Sequence, residues 1–291
     1  IKFHGEDVIV QALEKASFED IDIALFSAGK EVSRKYAPKA VSQDCVVIDN
    51  GSYWRMDDRV PLVVPEVNPA AAADHHGLIA NPNCSTIQLA VALDPIYRKW
   101  GLKRVVCSTY QSISGAGQAG VDKLMKELKG EDTGDKHPIA FNTMFHPLSD
   151  RNGFTVEEKK MYDEIKKIME YPNMSIAITC VRIPTLGGHG ESVNIELDKD
   201  FEIEEVRELF AKQEHIILID DMKHEEYPTP QNVKDTDPVY VGRIHRDHSV
   251  PYGFYLWVAA DNLRKGAATN AVQIAEFLVK TDNLAFRPID W

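Results

Sequence analysis

Four cysteines, Cys45, Cys84, Cys107 and Cys180, are the groups in this sequence best able to do nucleophilic chemistry. A reactive cysteine needs a polar, electropositive setting in which its thiolate can form. Cys45 precedes Val46-Val47-Ile48, Cys107 follows Val105-Val106, and Cys180 alternates with Ile176 and Ile178, so all three read as small buried hydrophobes. Cys84 differs. Asn81-Pro82-Asn83 is turn chemistry, and Leu89, Leu93, Ile96 and Tyr97 recur at helical spacing, which places Cys84 at a helix N-terminus. There the helix dipole and unpaired N–H groups are expected to lower the thiol pKa and to cradle an oxyanion. The position suits a nucleophile, though an ordinary turn cysteine would fit it equally well.

A nucleophilic cysteine needs a proton partner, and His189 in Gly187-Gly188-His189-Gly190 is the best placed histidine, in a Gly-rich loop that permits close approach. Read alone, it is equally an exposed loop residue. Arg182 shares strand parity with Ile176, Ile178 and Cys180, so a fixed cation points to an apolar face, toward a ligand carboxylate or a structural ion partner. The stretch from Thr155 opens with a capping box, Thr155 with Glu158, and carries an apolar stripe of Met161, Ile165 and Ile168. Glu164 and Lys167 lie beside that stripe, either as a solvated pair or as ligands for an amino group and an anion.

The elements that must hold these groups alternate. Helical patterns at 8–13 and 32–40 lead into strand-like runs at 21–26 and 45–48, which is the signature of an α/β unit with parallel strands. Ser27-Ala28-Gly29 and Asn50-Gly51-Ser52 follow the two strands, at the sheet edge where such folds bind ligands. Beyond residue 85 come longer helices (85–93, 121–128, 155–169) and alternating strands (175–183, 192–197), a second, α+β domain. The segment 262–280 is helical, with Gln273, Glu276 and Lys280 facing out, and returns to the first domain. Gly115-Ala116-Gly117-Gln118-Ala119-Gly120 matches GxGxxG, but no second strand and acidic residue follow, so it is a weak dinucleotide fingerprint and a better active-site loop. Asp74-His75-His76 and His245-Arg246-Asp247-His248 lack matching partner pairs and read as solvated polar residues rather than metal ligands, so no metal is expected.

The 291 residues allow two domains with ample core. A net charge of -12 and a pI near 5.3 disfavour nucleic acid and anionic membrane as partners. No apolar run is long enough to span a bilayer and no signal core opens the chain, so a cytoplasmic protein with reduced thiols is expected.

Taken together, these residues resemble aspartate-semialdehyde dehydrogenase of the shorter, NADP-dependent bacterial type, and the resemblance runs over nearly the whole length. It rests on Ile23-Ala24-Leu25-Phe26-Ser27-Ala28-Gly29, Val64-Pro65-Glu66-Val67-Asn68-Pro69, Asn81-Pro82-Asn83-Cys84-Ser85-Thr86, Ser108-Thr109-Tyr110-Gln111, Ser114-Gly115-Ala116-Gly117, Glu226-Tyr227-Pro228-Thr229-Pro230 and Asp261-Asn262-Leu263-Arg264-Lys265-Gly266-Ala267. The resemblance implies Cys84 as nucleophile, His189 as acid/base and Gln111 as the side chain that orients a thioester. It implies that Arg182 holds the substrate α-carboxylate and Glu164 its amino group, while Arg55, Lys167 and Asn83 bind phosphate. Ser27, Ala28, Gly29, Ser114, Gly117 and Asn262 would line the NADP site. Residues 1–84 and 262–291 would form the NADP-binding domain and 85–261 the catalytic and dimerisation domain, in a homodimer or homotetramer serving lysine, threonine and methionine synthesis.

The family opens with a strand, a Gly-rich phosphate loop and a helix, a unit of roughly 30 or more residues. The sequence starts after it, so the resemblance implies that these residues alone dimerise without binding NADP. Two alternatives stand beside this reading: an N-acetyl-glutamyl-phosphate reductase-like enzyme, whose acylated substrate gives no reason for Glu164, and a non-catalytic dimerising remnant.

Overall fold

The computed structural model describes residues 1–149 and 152–291. In chain order the elements are β1 (Lys2–Phe3), β2 (Glu6–Asp7), β3 (Ile23–Phe26), α1 (Lys30–Val41), β4 (Val46–Asp49), β5 (Leu78–Ala80), α2 (Cys84–Trp100), β6 (Arg104–Ser112), α3 (Gln118–Leu128), β7 (Met144–Phe145), α4 (Val156–Ile168), β8 (Ile176–Ile183), β9 (His189–Glu196), α5 (Ile203–Ala211), β10 (Ile216–Leu218), β11 (Val239–Asp247), β12 (Gly253–Ala260) and α6 (Thr269–Lys280). The helix expected over 8–13 does not form. Val8, Ile9 and Val10 are β-branched, poor helix formers, and all three are exposed.

Two sheets carry the architecture. β3, β4 and β5 run parallel in that order, and the run Val46–Asp49 is buried on both faces, as parallel strands covered by helices must be. Val47 packs into the cluster that includes Ala37 and Val41 of α1, whereas Val46 and Ile48 meet Ala271, Ile274 and Leu278 of α6. The C-terminal helix therefore does return to the first sheet, although Gln273 turns inward instead of facing out: its Oε1 accepts from Lys265 at 2.7 Å.

The larger sheet has the order β10-β11-β12-β9-β6-β8-β7. α2 is buried from Ser85 through Leu93 with no polar face, which marks it as the central helix, packed against α4, α5 and the middle strands. It stops at Gly101, where φ of 77° lets the backbone reverse and return its N–H to Tyr97 O. The opposite sheet face, carrying Val106, Ser108 and Tyr110 of β6 with Tyr255 and Trp257 of β12, is partly exposed.

A buried ion pair links the sheets. Lys265, in a π-helical turn Arg264–Ala268, is 1% exposed and donates to both carboxylate oxygens of Glu66, at 2.8 and 2.7 Å, and to Asn270 and Gln273. Removing one partner of such a pair strands the other charge in the interior. Lys265→Met is expected to destabilise the fold by about 3–5 kcal/mol in urea unfolding, with Glu66→Leu in the same chain recovering most of it.

Candidate active site

Strand register brings the sequence-predicted groups together. Gln111 and Arg182 are direct partners across the parallel β6–β8 pair, and His189 opens β9 beside the carboxyl end of β6. Cys84 is the first residue of α2, and its Sγ lies 3.3 Å from His189 Nε2. These side chains meet at a cavity of about 430 Å³, whose wall includes Arg55, Asn83, Cys84, Gln111, Gly115 and Arg182. The other three cysteines are fully buried, as their apolar contexts suggest.

Asn83 builds the nucleophile's end. Its Oδ1 caps α2 by accepting from Ser85 N at 3.0 Å and Thr86 N at 3.2 Å, which fixes the first turn. Its own N–H donates to Glu164 Oε2 at 2.7 Å, and its Nδ2 donates to Glu157 Oε1 at 2.7 Å. Gln111 Nε2 donates to Ser85 Oγ at 2.9 Å, leaving Gln111 Oε1 buried without a partner among the described residues. Two glycines allow the close packing. A Cβ at Gly115 would stand 3.0 Å from Arg182 Nη1 and 3.2 Å from the His189 ring, and one at Gly266 would stand 2.9 Å from Cys84 Cβ.

The electrostatics differ from the expectation for a helix N-terminus. Burial, followed by the Glu157 carboxylate, pushes the Cys84 thiol up to about 12, against the smaller opposing pull of Arg182, Arg55 and the helix N–H groups. Burial and then Arg182 push His189 down to about 3. The resting pair is therefore a thiol and a neutral imidazole. Ser112 N–H donates to His189 Nδ1 at 3.0 Å, so the ring proton sits on Nε2, facing Sγ.

Glu164 and Lys167 do not reach the cavity. Glu164, 1% exposed, pairs with Arg55 Nη1 at 3.0 Å and so holds that guanidinium from behind. Lys167 donates to the carbonyls of Arg55, Asp57 and Val60. The acid and base that do line the wall are Glu157 and Lys160, two helical turns earlier on the same face of α4. Although burial opposes it, Lys160 and the Asn83 amide hold Glu157 down to about 2. His146 also lines the cavity. The sequence signal for Glu157 and Lys160 was the same three-residue spacing, directly after the Thr155 cap that the structure does show.

Among the residues expected to line a nucleotide site, Gly29 and Asn262 lie on the cavity wall. Ser27 and Ala28 are exposed just beyond β3. Ser114 is buried and bonded to Asn262 Oδ1 at 3.1 Å, and Gly117 precedes α3 with φ of 76°. His75, expected to be solvated, is instead buried between Gly77 N and Asn283 O. No cluster of three or more residues able to hold a metal occurs among the described residues. Among the described residues no helix is long and apolar enough to cross a membrane.

A cysteine with a histidine partner, set beside a parallel-sheet edge, is an arrangement that suits a thiol-dependent aldehyde dehydrogenase. The comparisons agree. Residues 2–75 match the family model for the semialdehyde dehydrogenase NAD binding domain and residues 93–265 that for the semialdehyde dehydrogenase dimerisation domain. The chain is 50% identical to aspartate-semialdehyde dehydrogenase of Aquifex aeolicus and 47% identical to that of Bacillus subtilis, in each case over 96% of this chain and 86% of the relative. The crystal structure of aspartate semialdehyde dehydrogenase II from Vibrio cholerae, complexed with ASA, superposes with a TM-score of 0.91 at 45% identity, covering 96% of this chain and 86% of that one. The chain belongs to the aspartate-semialdehyde dehydrogenase family.

The charge state of the thiol can be tested directly. Under native conditions iodoacetamide should modify Cys84 and spare Cys45, Cys107 and Cys180, as read by peptide mapping. Because the thiol pKa is raised, the rate should keep climbing from pH 7 to 10; a plateau from about pH 6 would mean a stable thiolate instead.

Proposed function

We propose that the protein interconverts L-aspartate 4-semialdehyde and 4-aspartyl phosphate through a thioester on Cys84, with NADP as the nucleotide. The observation that carries this reading is the 3.3 Å approach of Cys84 Sγ to His189 Nε2 in a cavity that also presents Arg182, Glu157 and Arg55. Those three charges suit the α-carboxylate, the α-ammonium and phosphate. Glu157 and Lys160 take the places that the sequence suggested for Glu164 and Lys167. Phosphate would meet Arg55, Asn83 and Lys160, with Glu164 acting through Arg55.

The chain's own steps follow from the proton positions. As the Cys84 sulfur attacks the aldehyde carbon, the Nε2 proton of His189 passes to the carbonyl oxygen. The thiol proton replaces it, leaving a hemithioacetal and an unchanged imidazole. The nicotinamide, when bound, would accept the hydride while the adduct's hydroxyl proton is released to solvent, which together turn the adduct into a thioester. Gln111 orients the thioester carbonyl, phosphate attacks it, and the products are an acyl phosphate and free Cys84. In the biosynthetic direction the same steps run in reverse, toward lysine, threonine and methionine.

The residues at the sheet edge fit a nucleotide. Asn262 Nδ2 is buried with no partner among the described residues, an unused donor on the cavity wall. Gly29 and Gly51 add backbone at the carboxyl ends of β3 and β4. The two-part reading, with 1–84 and 262–291 holding nucleotide and 85–261 doing the chemistry, is supported by the return of α6 to the parallel sheet. A homodimer is supported by the partly exposed face of the larger sheet, where the Tyr110 and Trp257 rings meet at a tilt with 5.6 Å between ring centres.

In the full-length protein the reading requires phosphate-dependent NADPH formation from aspartate semialdehyde, and phosphate independence would contradict it. Arg182→Lys keeps the charge but loses the bidentate fork, so kcat/KM for the semialdehyde should fall about tenfold or more, a loss of about 1.4 kcal/mol. The KM for NADP should not move, and a change confined to it would place Arg182 at the nucleotide instead.

A further inference from the structure

His146 has no role in the chemistry above, yet it stands on the cavity wall with Glu157, Lys160 and Arg182. It follows β7, two residues after Met144, whose partner in register is Arg182. Its Nε2 is buried and has no hydrogen-bond partner among the described residues. A buried polar atom left unpaired is costly, and binding recovers that cost if the ligand supplies the missing partner.

The neighbouring carboxylate sets the need for such a partner. Glu157 Oε1 already accepts from Asn83 Nδ2 at 2.7 Å and Gln111 Nε2 at 3.4 Å, and its Oε2 accepts from Lys160 at 3.2 Å. An incoming ammonium brings three N–H donors to a carboxylate that three donors have largely occupied. It needs a second acceptor, and one without charge, since the ammonium is already balanced by Glu157. A neutral imidazole with its proton on Nδ1 offers that acceptor at Nε2.

We propose that His146 is a specificity-determining residue whose Nε2 accepts a hydrogen bond from the substrate's α-ammonium, beside Glu157. The groups that face the imidazole keep it neutral overall: burial, Arg182 and Lys160 lower its affinity for a proton, while Glu157 and Glu158 oppose them less strongly. His189, buried beside Cys84, carries no charge near neutrality. The assignment rests on the functional reading of the previous section and deepens it by naming the second group that recognises the amine.

The test compares two aldehydes in the full-length protein: aspartate semialdehyde, and succinate semialdehyde, which has the same chain without the amine. The unsubstituted protein should prefer the first in phosphate-dependent NADP reduction. His146→Leu removes the acceptor, so that preference, as a ratio of kcat/KM values, should shrink about tenfold, mainly through KM. His146→Gln returns an acceptor near the Nε2 position and should restore most of the ratio. A ratio unchanged in His146→Leu, or equal losses with both aldehydes, would overturn the assignment while leaving the functional reading in place. No preference in the unsubstituted protein would overturn the functional reading and this inference with it. The KM for NADP and thermal unfolding of each variant report whether the fold is retained.

Discussion

The site depends on two buried carboxylates of α4, Glu157 and Glu164, that reach across to Asn83. Glu164 binds the Asn83 backbone N–H and the Arg55 guanidinium, while Glu157 binds the Asn83 side chain. Asn83 in turn caps α2 and so places Cys84. A charge this deep is costly unless every lone pair is used, which is why each carboxylate here is met by more than one donor. The arrangement ties three separate parts of the chain, the loop after β4, the start of α2 and the face of α4, to one geometry around the nucleophile.

The same economy joins the site to the parallel sheet. Asn81 Nδ2 donates to Asn50 Oδ1 at 2.8 Å and to Ala267 O at 3.2 Å, and its Oδ1 accepts from Asn270 at 2.7 Å. With Lys265 and Glu66 this fixes the π-helical turn, so that Gly266 can lie against Cys84 with no side chain between them. A π turn leaves an irregular hydrogen-bond pattern in an otherwise helical segment. Here it brings Asn262 and Gly266 to the cavity wall from the segment that runs into α6.

Much of this was legible in the sequence, for reasons that can be separated. Cys84 could be placed because turn chemistry and helical spacing meet at one residue, and Arg182 because strand parity alone decides its face. The ligand pair on α4 was not legible to the same degree. Residues seven apart lie on the same side of a helix to within about 20°, so Glu157–Lys160 and Glu164–Lys167 are equivalent in pattern. Only the position of α4 along the sheet decides which pair reaches the cavity. Likewise His75 looks solvated beside Asp74 and His76, because its partner, Asn283 O, lies 208 residues away. The thiol's environment was misjudged for a related reason: the helix terminus is local and visible, whereas the desolvation that outweighs it comes from the assembled walls.

That desolvation gives the site its working state. Glu191 follows His189 on the same face of β9 and is fully buried, and burial raises its carboxyl well above the usual carboxylate range. Cys84 and His189 are neutral together. The fixed charges that remain on the cavity wall, Lys30, Arg55, Lys160 and Arg182 against Glu157, leave an excess of cations. A substrate with a carboxylate and a phosphate is attracted to such a cavity without competition from a resting thiolate. In the proposed reaction Cys84 would acquire charge only as the carbon–sulfur bond forms, with the proton on His189 Nε2 held beside the sulfur and within reach of the oxygen that becomes negative.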